Sequence, residues 1–97
     1  MTSHGTALIT GAATGIGRAC AERLAQEGFA IAACYRSRRQ ETEALLEQLP
    51  GSGHRALQAD VADPRQAAAL MEETLSGATA LDVLVNAAGL FTRQELL

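Results

Sequence analysis

The sequence predicts an α/β fold built on a doubly wound parallel sheet, in the order βαβαβαβ, and three observations carry that prediction. Four short apolar runs alternate with three amphipathic stretches, the spacing that gives parallel strands joined by right-handed helical crossovers. The run Phe29 to Cys34 is apolar throughout rather than alternating, as a strand covered on both faces is. A cluster of glycines, Gly11 to Gly17, falls between the first apolar run and the first amphipathic stretch. The 97 residues read as one domain, 1–97, since no internal repeat, linker or low-complexity tract breaks them.

Each element has its own signal. Ala7-Leu8-Ile9-Thr10 is the first strand and leads straight into the glycines. A helical pattern follows, with Ile16, Ala19, Cys20 and Leu24 on one face and Arg18, Glu22 and Gln26 away from it. Gly28 stands where a helix C-terminal glycine belongs. After the second strand, the polar stretch Arg36 to Gln40 opens a helix reaching about Leu49, with Ala44, Leu45 and Leu49 inward; Pro50-Gly51-Ser52-Gly53 ends it. Arg55 to Ala59 is a short third strand. Asp63 is then read as an N-cap, with Pro64 at the first helical position and Gln66 closing a capping box. That helix runs to about Leu75 and offers Leu70, Met71, Thr74 and Leu75 for packing. Leu81 to Val85 is the fourth strand, ending at Asn86-Ala87-Ala88-Gly89.

Composition narrows the function classes. Hydrophobic residues are 47% and charged residues 20%, a globular balance. No apolar run approaches the roughly 20 residues that cross a bilayer. The stretch Met1 to Gly5 lacks the basic and long apolar parts of a signal peptide, so a soluble cytoplasmic protein with no membrane contact is expected. A net charge of −3 argues against a nucleic-acid surface. All eight cationic side chains are Arg; there is no Lys, one Tyr (Tyr35), one Asn (Asn86) and no Trp. Cys20 and Cys34 have no second pair, so neither a metal site nor a disulfide is suggested, and both are read as small buried apolar residues.

The glycines have a physical reading. Gly11 can let the chain turn sharply off the strand, while Gly15 and Gly17 remove side chains where backbone must approach a pyrophosphate and where helix meets strand. Free N–H groups at the helix start, aided by its dipole, would hold the phosphate. A glycine-rich turn that merely packs is the alternative. A triphosphate loop is excluded, because no Gly-Lys-Ser/Thr follows.

Thr10-Gly11-Ala12-Ala13-Thr14-Gly15-Ile16-Gly17 resembles the Thr-Gly-x-x-x-Gly-x-Gly signature of the short-chain dehydrogenase/reductase family. Asp60-Val61 after the third strand and Asn86-Ala87-Ala88-Gly89 after the fourth fall in the family's order. The resemblance covers essentially the whole chain and is greatest to the 3-oxoacyl-acyl-carrier-protein reductase and glucose dehydrogenase type. It implies the N-terminal half only of a Rossmann-type sheet. By it, Gly11, Ala13, Thr14, Gly15, Ile16 and Gly17 would wrap the pyrophosphate and adenosine ribose. Asp60 would hydrogen-bond the adenine amino group, and Val61 would offer backbone contact to the ring. Asn86, Ala87, Ala88 and Gly89 would line the ribose and nicotinamide side. The family usually has a second Asn where Ala87 stands, a change that a backbone contact survives and a side-chain bond does not. Asp60 also reads as a plain turn residue before the next helix.

The cofactor follows from the end of the second strand. An NAD-preferring site places an acid there to grip the ribose 2′-OH. The window Cys34-Tyr35-Arg36-Ser37-Arg38-Arg39 holds none. Arg36 offers a planar, permanent charge matched to a 2′-phosphate, with Ser37 as hydroxyl donor and Arg38 as support. NADP is therefore expected over NAD. The alternative is a solvated basic helix start, although cations there oppose the helix dipole. NADP-preferring relatives often carry a base where this chain has Thr14.

The family's hydride transfer to a carbonyl uses a Tyr, a Lys four residues on, and a Ser. With no Lys, no such pair exists here, and no catalytic residue is assigned; His4 and His54 read as solvated. Three expectations follow: the N-terminal portion of an NADP-dependent reductase, truncated after the fourth strand and inactive alone; a non-catalytic dinucleotide-binding module completed by a partner chain; or a structural remnant. The open fourth strand is expected to favour self-association or a complementing chain.

Overall fold

The computed structural model describes residues 5–13, 15–76 and 81–87. The elements come in the expected order: β1 (Thr6–Thr10), α1 (Gly15–Gln26), β2 (Ala30–Tyr35), α2 (Arg39–Gln48), β3 (Arg55–Gln58), α3 (Pro64–Ser76) and β4 (Leu81–Asn86). All three strand pairings are parallel, and the sheet order is β3-β2-β1-β4. The order therefore switches direction beside β1, where an open α/β sheet of Rossmann type forms its ligand crevice.

Alternation along the strands sorts side chains into two layers. Ala7 and Ile9 of β1, with Ile31 and Ala33 of β2, face Ala21 and Ala25 of α1 and Leu45 of α2. Leu8, Ala32, Cys34 and Leu57 face the other way, against Leu70 of α3. Leu8, Ile9 and Ile31 are fully buried, each such burial being worth about 1.5–3 kcal/mol. The α1 contact is made almost wholly of small side chains.

That contact departs from the expected one in part: Cys20 and Leu24 pack against the core, half-buried, as read from the sequence. Ile16 is 75% exposed and Ala19 is exposed, while Gly17, Ala21 and Ala25 are buried. On α2, Ala44 lies outside and Thr42 inside, beside Leu45. On α1 the surface nearest the sheet goes to small residues, whereas α2 seats Leu45 there beside Thr42.

The helix ends are closed by specific hydrogen bonds. Phe29 N–H donates to the Leu24 carbonyl (3.0 Å) and Gly28 N–H to that of Ala25 (3.1 Å), with Gly28 at φ +102°, a Schellman closure of α1. At α3, Asp63 Oδ1 accepts Arg65 N–H at 2.9 Å, as an N-cap does. The capping box is altered, however. Gln66 Oε1 accepts the N–H of Asp60 (2.8 Å) rather than that of Asp63, which donates instead to the Asp60 carbonyl (3.0 Å). The C-terminal end of α3 is met by Arg55, whose guanidinium donates to the carbonyls of Glu73 (3.0 Å) and Thr74 (2.7 Å). His54, expected in solvent, is half-buried: Nδ1 accepts Ile31 N–H (3.0 Å) while Nε2 contacts the Pro50 carbonyl (2.7 Å).

β4 pairs with β1 through an irregular register. Thr6 opposes Leu81 and Ala7 opposes Val83, so Asp82 has no opposite residue. Its carboxylate accepts Thr6 N–H at 2.9 Å and replaces the missing ladder bond. Among the described residues β4 is paired on one side only, and Leu84 is 57% exposed.

Candidate functional site

The strand ends at the switch side of the sheet surround a cleft of about 370 Å³ lined by Gly11, Ala12, Ala13, Cys34 to Arg38, Thr42, Ala59 to Ala62, and Ala87. Each wall is built by one strand end.

The first wall is the glycine turn after β1. Gly11 has φ +68°, a conformation costly for other residues, and its N–H donates to the Cys34 carbonyl at 3.1 Å. Gly17 is buried one turn into α1, where a Cβ would overlap the Gly11 carbonyl. A Cβ built at Gly15 meets nothing within 4 Å, so the space before α1 is open. The turn thus presents backbone rather than side chains to the cleft, at the start of a helix whose first N–H groups favour anions.

The second wall joins β1 to β4. Thr10 Oγ1 lies 3.0 Å from Asn86 Oδ1 and accepts Ala87 N–H at 3.1 Å, and Ala87 N–H also reaches the Thr10 carbonyl at 3.2 Å. These bonds hold Ala87 by its backbone, so the Ala at this position loses nothing in the contact that is seen.

The third wall is the loop from β2 into α2. Arg38 pairs with Glu41 at 3.7 Å and Arg39 with Glu43 at 3.1 Å, both on the exposed surface. Arg36 has no carboxylate partner among the described residues, and the Ser37 hydroxyl has no hydrogen-bond partner there. Arg38, at the N-cap of α2, makes no side-chain cap bond. The loop therefore offers a cation and a hydroxyl beside an uncapped helix start. Arg38 itself is held by Glu41 rather than standing free as support.

The fourth wall follows β3. Asp60 Oδ1 accepts Ala62 N–H at 3.0 Å, forming the tight turn that its sequence context allowed. Its other carboxylate oxygen has no partner among the described residues. Beneath lie Cys34 and Thr42. Cys34 donates to the Ala59 carbonyl at 3.6 Å, and burial pushes its thiol up from the ordinary range.

Of the residues expected at a cofactor, Gly11, Ala13, Arg36, Ser37, Asp60, Val61 and Ala87 come together around the cleft. Gly15, Ile16 and Gly17 flank it at the start of α1, and Asn86 stands behind Ala87. Thr14, Ala88 and Gly89 lie outside the described residues. Sequence reasoning missed Thr42 as a lining residue. A polar residue at the inward position of α2 was the signal. Among the described residues no group of three His, Cys, Asp or Glu side chains is arranged for a metal, and no helix is long and apolar enough to cross a membrane.

Comparison with known proteins bears on family and fold. The chain is 44% identical over 94 residues to a 3-oxoacyl-[acyl-carrier-protein] reductase of Staphylococcus aureus, a match covering 95% of this chain and 38% of that protein. Among solved structures it is similar to a blue fluorescent protein from a metagenomic library, in complex with NADPH (TM-score 0.80, 39% identity, 93% of this chain and 38% of that one). It is also similar to the 3-ketoacyl-(acyl-carrier-protein) reductase of Brucella melitensis, complexed with NADH (TM-score 0.75, 29% identity, 84% and 33%). The chain thus spans well under half the length of these relatives. With a family model for short chain dehydrogenase matching residues 5–97, the chain belongs to the short-chain dehydrogenase family.

Proposed function

We propose that these residues bind NADP(H), and that they form the cofactor-binding part of a reductase acting on a 3-oxoacyl thioester or similar carbonyl. The observation that carries the nucleotide choice is Arg36: a guanidinium at the end of β2, without a carboxylate partner among the described residues, beside the unpartnered Ser37 hydroxyl and with no acid in the loop. A dinucleotide is supported by the open space beside Gly15 and by the close seat of α1 on the turn, where a Cβ at Gly17 would overlap the Gly11 carbonyl.

In this reading the N–H groups at the start of α1 hold the pyrophosphate, and Arg36 and Ser37 hold the 2′-phosphate. The free carboxylate oxygen of Asp60 accepts from the adenine amino group, with Val61 against the ring. Asn86 to Gly89 line the ribose and nicotinamide side. Bound NADPH supplies a hydride to the carbonyl carbon. The matching proton requires a general acid, and with no Lys and one Tyr the 97 residues hold no Tyr-x-x-x-Lys pair. Carbonyl reduction is therefore assigned to a protein carrying that pair in addition to these residues. A second reading, a non-catalytic module completed by a partner chain, draws on β4 being paired on one side only among the described residues.

Fluorescence titration with NADPH and NADH tests the nucleotide. We expect NADPH to bind at least about tenfold more tightly, the scale of a hydrogen bond to a charged group, and Arg36→Ala to remove the difference. Equal affinities, unchanged in Arg36→Ala, would exclude the assignment.

A further inference from the structure

We infer that Thr42, in α2, and Gln58, at the end of β3, are positioning residues for the 2′-phosphate subsite; the inference rests on the NADP reading above. The loop Arg36-Ser37-Arg38 is exposed along its length. Exposed loops with long cationic side chains lose affinity to the entropy of ordering them, unless the backbone is fixed beforehand.

Two side chains fix it here, one at each end. Thr42 Oγ1 donates to the Arg38 carbonyl at 2.7 Å, and Thr42 N–H donates to the same oxygen at 3.0 Å. Gln58, the last residue of β3, donates from Nε2 to the Arg36 carbonyl at 3.3 Å. Each bond reaches a main-chain oxygen, so neither competes with Arg36 or Ser37 for a ligand. Thr42 is 0% exposed although it lines the cleft, which makes its hydroxyl an inward anchor and not a surface contact.

The back-bond from a helical Thr to the carbonyl four residues earlier is common and slightly unfavourable to the helix itself. In α2 it falls on the N-cap residue, which has φ −100°, ψ +60° and no cap bond of its own. The hydroxyl therefore acts on the loop rather than on the helix interior. Between the two ties sits Ser37, so the pair fixes the backbone from which its hydroxyl and the Arg36 guanidinium extend.

The test uses 2′,5′-ADP and 5′-AMP, which differ by the 2′-phosphate alone, titrated by calorimetry against the 97-residue chain and four variants. Thr42→Val keeps the shape and removes the hydroxyl; Gln58→Met, on the surface, keeps length and removes the donor. We expect each to reduce the preference for 2′,5′-ADP by about three- to tenfold, the scale of one hydrogen bond, and Thr42→Ser to restore it. Arg36→Ala runs in parallel. If Arg36→Ala erases the preference while Thr42→Val and Gln58→Met retain it, the positioning role is wrong and the NADP reading stands. If Thr42→Val weakens both ligands equally, the hydroxyl is merely structural and the inference fails. If the unaltered chain does not distinguish the two ligands, the NADP reading fails and takes this inference with it.

Discussion

Cys34 illustrates how far a single side chain's environment governs its chemistry. Its thiol lies on the α3 face of β2, within the cleft wall, and burial raises its pKa. In the unfolded chain the same thiol ionises at its ordinary value, about 8.5. A group whose pKa is raised by folding contributes stability that is complete below the unfolded value and is lost as the pH climbs through the folded one. Urea melts between pH 7 and 10 are therefore expected to show stability declining on the alkaline side, with a shallower decline in Cys34→Ala. Identical alkaline slopes in the two proteins would show that Cys34 is not responsible. The same burial predicts that maleimide modifies half-buried Cys20 before Cys34, as peptide mapping after partial labelling would reveal. In the sequence both thiols read as small buried residues, which holds for Cys34, while Cys20 is half-buried; the place of Cys34 in the cleft wall was not legible, because it depends on which strands end beside it in the sheet order.

At the level of elements, the capping of α3 and the bulge of β4 carry measurable weight. Asp63→Ala removes the acceptor for Arg65 N–H and is expected to cost about 0.5–2 kcal/mol in chemical denaturation, as N-cap losses do. Asp82→Ala leaves Thr6 N–H without its bond in a part-buried place, for a loss of about 1–3 kcal/mol. A cost below about 0.3 kcal/mol at either position would show that water replaces the bond freely. Element order and type were readable from alternation, breakers and caps, all of them local signals. What escaped were the inward faces. Apolar size pointed to Ile16 as well as Leu24 on α1; Leu24 does pack against the core, but Ile16 does not, and the closest approach to the sheet falls to Gly17, Ala21 and Ala25. The altered capping box escaped for a similar reason: Gln66 was recognised, but its partner, Asp60 N–H, belongs to the preceding turn. Among site residues, the glycines, Arg36 and Asp60 were legible because their chemistry is written in their type. Thr42 was not, because its role is set by the carbonyl it meets.

For the molecule as a whole, the exposed side of β4 is the feature with the largest consequence in solution. Leu84 is mostly exposed on a strand paired, among the described residues, on one side only. Such a strand templates further pairing. Analytical ultracentrifugation of the 97-residue chain is expected to show self-association that rises with concentration, and Leu84→Lys to suppress it. A concentration-independent monomer in both would remove this expectation.

The small-residue contact between α1 and the sheet has a bearing on which sequences this fold tolerates. Ala21 and Ala25 share one cluster with Ala7, Ile31 and Ala33, and a Cβ at Gly17 would overlap the Gly11 carbonyl. On the helix side of this contact a single added methylene must push the helix away from the strand that carries the glycine turn, while on the strand side trimming Ile31 would open a cavity. Drift at Gly17, Ala21 and Ala25 is therefore closed toward larger side chains, since any of them would displace the backbone N–H groups at the start of the helix.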